Sequence, residues 1–384
     1  MKIAFIGQKG IPARSGGVEH HVQELAVRLA KLGHSVTVYA RNSYTHEQTR
    51  TYRNVRIVHL PSIATKHLDA ITHTFLATFH ALFSGFDVVH YQSIGPSSLS
   101  WLMRLLRPDI NVVSTFHCKD YEHQKWGWLA RLYLRFGEFI TCAVPHSVIV
   151  INQELKHYVK EIYGVNATYI PNGSVVCYRP NQKSLSKWQL RPNNYALAVS
   201  RLIRHKGIHT LIQAFNILKD AGKLPKDFKL VIVGEGAYTN AYVKELHELA
   251  KNNKTIVFTK EQTARALQEL FSHARMFVQP SVSEGLSLAL LEAMGYGLPI
   301  VISDIIENKE AVGETALAFK TQDAADLAAK LSWLLSHPKE AKALGNAAKF
   351  RAKTYFNWDA IARQVLEVYE RSLSLRNLQQ TTHN

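Results

Sequence analysis

The sequence has little cysteine, and what it has is scattered. Cys118, Cys142 and Cys177 show no spacing that a zinc site or a disulfide framework would need. That pattern suits a reducing compartment, and the expected location is the cytoplasm. No uncharged apolar run reaches the roughly 18 residues of a membrane span. The opening residues MKIAFIG enter a strand pattern at once and lack the anatomy of a signal peptide. Zinc-finger, RNA-recognition and helix-turn-helix signatures are also missing, so nucleic acid is disfavoured as a partner. The first glycines do not spell G-x-G-x-x-G and their loop is too long for a dinucleotide turn, which argues against a nicotinamide cofactor. There is neither a P-loop lysine motif nor an Asp-x-Asp. Metal-bound phosphate chemistry is therefore unsupported, and no metal site and no cofactor are expected.

What is present is ample for folding. The chain has 384 residues, 46% of them hydrophobic, enough for two domains with packed cores. The formal charge is +16, and both halves share the basic excess. A field of that size points to anionic partners such as nucleotides or lipid headgroups.

The first half reads as the start of a doubly wound sheet. Residues 2–7 form a buried strand, followed by a loop that ends in Gly16 and Gly17, where a ligand or acceptor could approach the backbone closely. A helix comes next, with Val22, Leu25, Ala26, Leu29 and Leu32 on one face and Gly33 as its stop. VTVYAR and residues 55–60 are strands. Lys66 to Phe86 is a core-facing helix with His67, His73 and His80 at its polar margin. FDVVHYQS and NVVSTFH are strands, and the second carries His117 at its carboxyl end, where open α/β sheets bind ligands. In helix 128–140, Arg131 and Arg135 stand beside Trp126, Trp128, Leu132 and Leu134. This reads either as a buried face with a solvated basic edge or as a surface that rests on an anionic membrane. SVIVIN closes the first sheet.

Pro-Asn-Gly after residue 170 and the polar stretch Cys177 to Asn194 mark the domain boundary. Alternation then resumes: strand 195–200, helix 208–219, strand 229–233, a Gly-Glu-Gly turn at Gly234, helix 239–250, strand 255–258, helix 263–272 and strand 276–279. The fold class is α/β, two doubly wound Rossmann-like domains facing a cleft.

Two stretches carry chemistry. In RLIRHKG, Arg201 and Lys206 flank the end of a strand and Gly207 opens a helix; two cations and a helix N-terminus suit a diphosphate. In VSEGLSLALLEAMGYGLPIV, Glu284 lies in a loop and Glu292 is placed about two turns into a helix ended by Gly295 and Gly297. Read blandly, the first is a pair of solvated loop charges and the second a helix with an acidic first turn. Both lie at strand carboxyl ends of the same domain, which favours a shared site.

Together with the Gly-Glu-Gly turn, these stretches resemble the retaining, nucleotide-sugar-dependent glycosyltransferases of family 4, with the two-domain B-type fold. G-I-P-A-R-x-G-G-V-E and H-C-K-D-Y-E-H-Q-K-W-G are similar to a bacterial, rhamnosyltransferase-like branch. The likeness runs from Lys2 to FNWDAIARQVLEVYERSL. It implies an acceptor-side domain over 1–174, a donor domain over 175–357, and a terminal helix at about 358–376 that packs back onto the first. Glu284 would hold donor-sugar hydroxyls, with the backbone of Gly285, Leu286, Ser287 and Leu288 near the sugar and diphosphate. Glu292 would bind the ribose, and Arg201 and Lys206 the leaving diphosphate. Gly16, Gly17 and Gly234 would line the donor site, and His117 would lie beside the reacting sugar. Glu19 and Asp120 are the acceptor-side candidates. The sequence departs from the pattern twice: Cys118 follows the histidine where glycine or aspartate is usual, and Lys260 replaces a common glycine.

The implied partners are a nucleoside-diphosphate sugar, a glycan or lipid-linked acceptor and an anionic membrane surface. The implied role is bacterial cell-surface polysaccharide synthesis. A nucleotide-sugar epimerase of similar fold is one alternative, and it would release nucleotide without an acceptor. A non-enzymatic sugar-nucleotide-binding protein is the other, and it would keep the phosphate site alone.

Overall fold

Short apolar runs with no polar alternation become parallel strands, because a strand covered by helices on both faces has no side that faces water. A computed structural model describes residues 1–14, 16–44, 49–65, 68–122, 126–176, 178, 181–236, 239–262 and 264–381; His67 and Cys177 lie outside the described residues. The chain divides into two units, Met1–Asn172 with Trp358–Asn384, and Gly173–Asn357.

The first unit holds β1 (Lys2–Ile6), β2 (Ser35–Arg41), β3 (Thr51–Tyr52), β4 (Val55–Leu60), β5 (Val88–Gln92), β6 (Asn111–Phe116), β7 (Ser147–Val150) and β8 (Thr168–Tyr169). They form one sheet in the order β3-β4-β2-β1-β5-β6-β7-β8, so β8 and not the SVIVIN strand closes it. Among the described residues only the β3–β4 pairing is antiparallel. Ile3 stands opposite Val36 on one side and Val88 on the other, and the strand order reverses between β1 and β5. A crevice at the carboxyl ends beside such a reversal is where doubly wound sheets take ligands.

Three expectations for this unit need correction. Leu32 is exposed, not part of the buried face, because the helix Gly17–Lys31 has already stopped. In the helix Leu68–Leu82, His73 lies in the core instead of at a polar margin. His80 is on the outside, with Nδ1 2.8 Å from the Tyr39 hydroxyl. The buried face of that helix is lined by small residues, Thr74, Ala77, Thr78 and Ala81, while Phe75, Phe79 and Phe83 point outward. In the helix Trp128–Ala143, Leu134 is buried while Trp128 and Leu132 are exposed.

The terminal helix Trp358–Thr381 completes this unit. Its Tyr369 hydroxyl lies 2.7 Å from Nδ1 of His90, and its Ser372 donates to Asn111 Oδ1 at 2.7 Å. Arg28, from the helix Gly17–Lys31, donates to Asp359 at 2.7 Å.

The second unit holds β9 (Tyr195–Val199), β10 (Lys229–Val233), β11 (Ile256–Phe258), β12 (Met276–Gln279), β13 (Ile300–Ser303) and β14 (Leu317–Phe319). Their order is β11-β10-β9-β12-β13-β14, and every pairing is parallel. The reversal falls between β9 and β12. A core of Leu211, Phe215, Phe228, Ile232, Leu246 and Leu331 packs one face. Phe215 stacks on Phe228 with ring centroids 6.2 Å apart. Each such buried side chain contributes about 1.5–3 kcal/mol.

Candidate active site

In the second unit the chain leaves β9 and β12 on either side of the reversal, and both exits carry the residues singled out from sequence. After β9 come Arg201, a single helical turn Arg204–Lys206, and Gly207 at φ +67°, where the helix Ile208–Asp220 begins. After β12 come Pro280, Ser281, Glu284 and Ser287, the cap of the helix Leu288–Tyr296. The two exits are tied to each other. Val282 N–H donates to the His205 carbonyl at 2.8 Å. A Cβ on Gly207 would stand 1.9 Å from the Pro280 carbonyl oxygen, so only glycine lets the loops touch there.

That approach brings Lys206 to Glu284. The ammonium lies 2.6 Å from Oε2 of the carboxylate, and both side chains are largely withdrawn from solvent. Oε1 accepts from Gln279 Nε2 and from Ser281 Oγ, each at 2.6 Å. A carboxylate has about four acceptor positions. Three are filled, which leaves room for one further donor such as a sugar hydroxyl. Ser281 is itself held: its carbonyl accepts from Ser303 Oγ, which in turn accepts from Asn308 Nδ2 at 2.9 Å. A buried ion pair costs desolvation that only good geometry and extra hydrogen bonds repay. This chain of bonds supplies both. Arg201 is exposed and takes no side-chain hydrogen bond among the described residues.

Gln279 and Ser281 were not singled out from sequence. Their signal was available: a strand of Met276, Phe277 and Val278 that ends in Gln-Pro-Ser puts polar side chains where a core strand has no structural use for them. Glu292 lies nearer the helix start than expected. Ser287 caps the helix by accepting from Leu290 N–H, so Glu292 is the fifth helical residue, about one turn in. Gly295 does not end the helix. It lies inside it, where a Cβ would meet Ser174 Oγ at 2.3 Å, and Gly297 at φ +76° is the cap.

Beside these loops, Gly234 turns the chain at φ +140° and donates to the Lys260 carbonyl at 3.0 Å. Its Cβ would fall 1.8 Å from the Ser200 carbonyl oxygen at the end of β9. Gly234→Ala is expected to destabilise the second unit by about 3 kcal/mol or more, from left-handed strain together with a backbone clash. A denaturant midpoint within error of the parent would refute this. Lys260 has φ +62°, which explains why glycine suits this position and makes lysine a strained occupant.

In the first unit, His117 follows β6 and is buried. Its Nε2 lies 2.9 Å from Gln92 Oε1, and its ring meets His21 edge-on at 4.8 Å. His21 Nδ1 lies 2.7 Å from Asn172 Oδ1, and His21 Nε2 is buried without a partner among the described residues. Gly16 has φ +98°, and its missing Cβ makes room for Glu19, whose Oε1 accepts from Lys9 N–H at 3.0 Å. Gly17 is the first residue of the helix. Glu19 therefore spends one oxygen on holding the loop after β1. Asp120 opens a short helical turn and accepts from the Cys118 thiol at 3.4 Å, so the unusual cysteine is bonded to the acceptor-side candidate.

Burial pushes the His21 pKa down to about 4 against the pull of Asn172. Burial, then the neighbouring His21, holds His90 and His117 well below the ordinary histidine range. All three are neutral at pH 7. The unfolded chain takes up these protons near 6.5, so stability is complete above that pH and is lost as pH falls toward about 4. Each histidine adds a slope of about 1.4 kcal/mol per pH unit in that window. The thermal midpoint is therefore expected to fall by several degrees between about pH 7 and about pH 5. A flat midpoint across this range would count against neutral burial.

The comparisons place the chain in a family. Residues 15–174 match the family described as Glycosyltransferase Family 4, and residues 182–351 match Glycosyl transferases group 1. The chain is a glycosyltransferase. Among relatives of this transferase, spore coat protein SA of Bacillus subtilis is 26% identical over 97% of the chain and 100% of its own length. The sucrose-phosphate synthase of Thermosynechococcus elongatus superposes with a TM-score of 0.82 at 22% identity, covering 97% of this chain and 99% of that one. HepE of Anabaena, solved with UDP and glucose, gives 0.79 at 19% identity, with 97% and 100% covered. At those identities the solved structures establish the transferase's fold: two Rossmann-like domains.

Proposed function

We propose that this glycosyltransferase moves a sugar, with retention at its anomeric carbon, from a nucleoside-diphosphate sugar to a hydroxyl of a glycan or lipid-linked glycan. The setting would be synthesis of a bacterial cell-surface polysaccharide, with rhamnosyltransferase-like specificity, at an anionic membrane surface near Arg131 and Arg135. The carrying observation is the Lys206–Glu284 pair at the strand reversal of the second unit, with Arg201 on the same loop as Lys206. The UDP and glucose bound by HepE, which shares the fold, support a nucleotide-sugar donor.

The chemistry follows from charge. As the C1–O bond to the diphosphate breaks, negative charge grows on the leaving phosphate and positive charge on the sugar ring. Lys206 and Arg201 would stabilise the first, and Glu284 the second. Fixed cations would do this without a divalent ion. The acceptor hydroxyl would attack from the face that the diphosphate leaves, giving its proton to the departing phosphate oxygen. Glu292 would hold the ribose, with Gly234 and the backbone of Gly285 to Leu288 around the diphosphate and sugar. His117 would lie beside the reacting sugar, and Asp120 and Glu19 would serve the acceptor side.

The test is a donor panel of uridine, guanosine and thymidine sugar diphosphates, with and without acceptor lipid and with and without EDTA. Nucleoside diphosphate is expected only when acceptor is added, undiminished by chelator. Release without acceptor would favour an epimerase. Binding with no release would favour a non-enzymatic receptor. Loss with EDTA that magnesium restores would remove the metal-free reading.

A further inference from the structure

Three neighbouring helices of the first unit share an unusual outer face. The helix Leu68–Leu82 packs beside Ser100–Leu106, which packs beside Trp128–Ala143. Each turns a stripe of large apolar side chains outward: Phe75, Phe79 and Phe83; Trp101 and Leu105; Trp128, Leu132, Phe136 and Phe139. The exposure is substantial, at 77% for Phe83, 69% for Leu105 and 74% for Trp128. With aromatic side chains of about 150–250 Å² each, the exposed apolar area is on the order of 1,000 Å², against the few hundred ordinary for a soluble surface. The inward faces, built on Thr74, Ala77, Thr78 and Ala81, and on Leu134, Gly137 and Thr141, already cover the sheet. The stripes are thus not misplaced core residues; the core is complete without them.

Among the described residues of these three helices, the charges left exposed and unpaired have one sign. Glu138 is buried, and Asp69 is paired with Arg41 at 2.6 Å. Arg131 and Arg135 remain exposed on the last helix, Arg135 lying 5.4 Å from the Tyr121 ring centroid. We infer that this face inserts into the interfacial layer of an anionic bilayer, and that its apolar stripes, not its arginines, supply most of the hold. Tryptophans at Trp101 and Trp128 suit the headgroup boundary, where an apolar ring body meets a wet edge. A second copy of the chain is the poorer occupant, because a two-fold contact through this face would set Arg131 and Arg135 near their own equivalents. The inference rests on the membrane setting proposed above and changes its physical basis: adhesion by charge alone would be screened by salt, and apolar insertion would not.

The test uses the full chain and vesicles of phosphatidylcholine with or without phosphatidylglycerol, at about 0.1 M and about 1 M salt, where the Debye lengths are roughly 10 and 3 Å. Sedimentation with vesicles is compared for the parent, for Phe79→Ser with Phe83→Ser, for Leu129→Ser with Leu132→Ser, and for Arg131→Gln with Arg135→Gln. Nucleoside-diphosphate affinity, a property proposed for the other unit, is measured on each. It should stay constant, with an unchanged circular dichroism spectrum as the check on folding. The parent is expected to bind phosphatidylglycerol vesicles at both salts. Each apolar pair should lower partitioning by about 100-fold or more at both salts, and the arginine pair by about 30-fold at the lower salt and only a few-fold at the higher. Binding abolished by salt and unaffected by the apolar pairs would overturn the insertion and keep the membrane setting. No binding under any condition would overturn both. A parent dimer that the apolar pairs convert to monomer would assign the face to self-association instead.

Discussion

Lys206→Ala is expected to lower kcat/KM by about 10²-fold or more, the scale for losing one preorganised charge partner of a transition state. Two effects add. On the proposed mechanism the leaving diphosphate would lose a cation carried by the helical turn that ends at Gly207. Glu284 loses the ammonium 2.6 Å from its Oε2 and is left as a withdrawn carboxylate held only by Gln279 and Ser281. The second effect complicates a single mutant, because breaking a withdrawn pair leaves a charge without its counter-charge. The double variant Lys206→Ala, Glu284→Gln separates them. If Glu284 merely suffers from the missing cation, the double variant should be no slower than Lys206→Ala alone. If the two groups act separately on phosphate and sugar, the losses should multiply. Unchanged kinetics in a folded Lys206→Ala protein would remove the diphosphate assignment.

The two glutamates should divide the work. Glu292→Gln is expected to weaken binding of free nucleoside diphosphate. Glu284→Gln should leave that binding nearly intact and reduce turnover, because on the proposed mechanism its remaining acceptor position would serve the sugar as charge develops. A hydrogen bond to a charged group is worth about 1.5–3 kcal/mol, so each effect should be roughly ten- to hundred-fold. The shorter distance of Glu292 from the helix start sharpens the contrast. About one turn in, it stands closer to whatever the loop binds than a residue two turns in would. Calorimetric affinities beside steady-state rates decide the matter. A reversed pattern would exchange the roles, and no change in either variant would return the stretch to a helix with an acidic neighbour.

The sheets were legible because their strands are short and mostly apolar. Residues 229–233 and 276–279 could be bounded to the residue, since Lys229 opens one run and Gly234 stops it, while Arg275 and Pro280 bracket the other. Arg201, Lys206 and Glu284 could be placed at one end of one sheet from strand order alone. What sequence could not supply was pairing: that Lys206 meets Glu284 depends on Gly207 lying under the Pro280 carbonyl, a contact between loops far apart in the chain. The depth of Glu292 was misjudged because either Gly285 or Ser287 could begin the helix, and the choice rests on which side chain caps it. His73 was misread for a related reason. Helical period identifies two faces, but when both are apolar it does not say which is inward; the small residues did, since only they fit against the sheet.

The terminal helix has a consequence for how the protein is made. The second unit is one uninterrupted stretch, Gly173–Asn357, and its sheet needs no strand from elsewhere in the chain. The first unit is begun before the second but needs residues that are made after it. His90 waits for the Tyr369 hydroxyl, Asn111 for Ser372, and Arg28 for Asp359. The earlier-made unit is therefore the later to be completed, and a chain truncated at Asn357 would keep every strand of the second unit while leaving buried polar groups of the first open. Truncations that reach into Trp358–Thr381 act on the unit that is translated first.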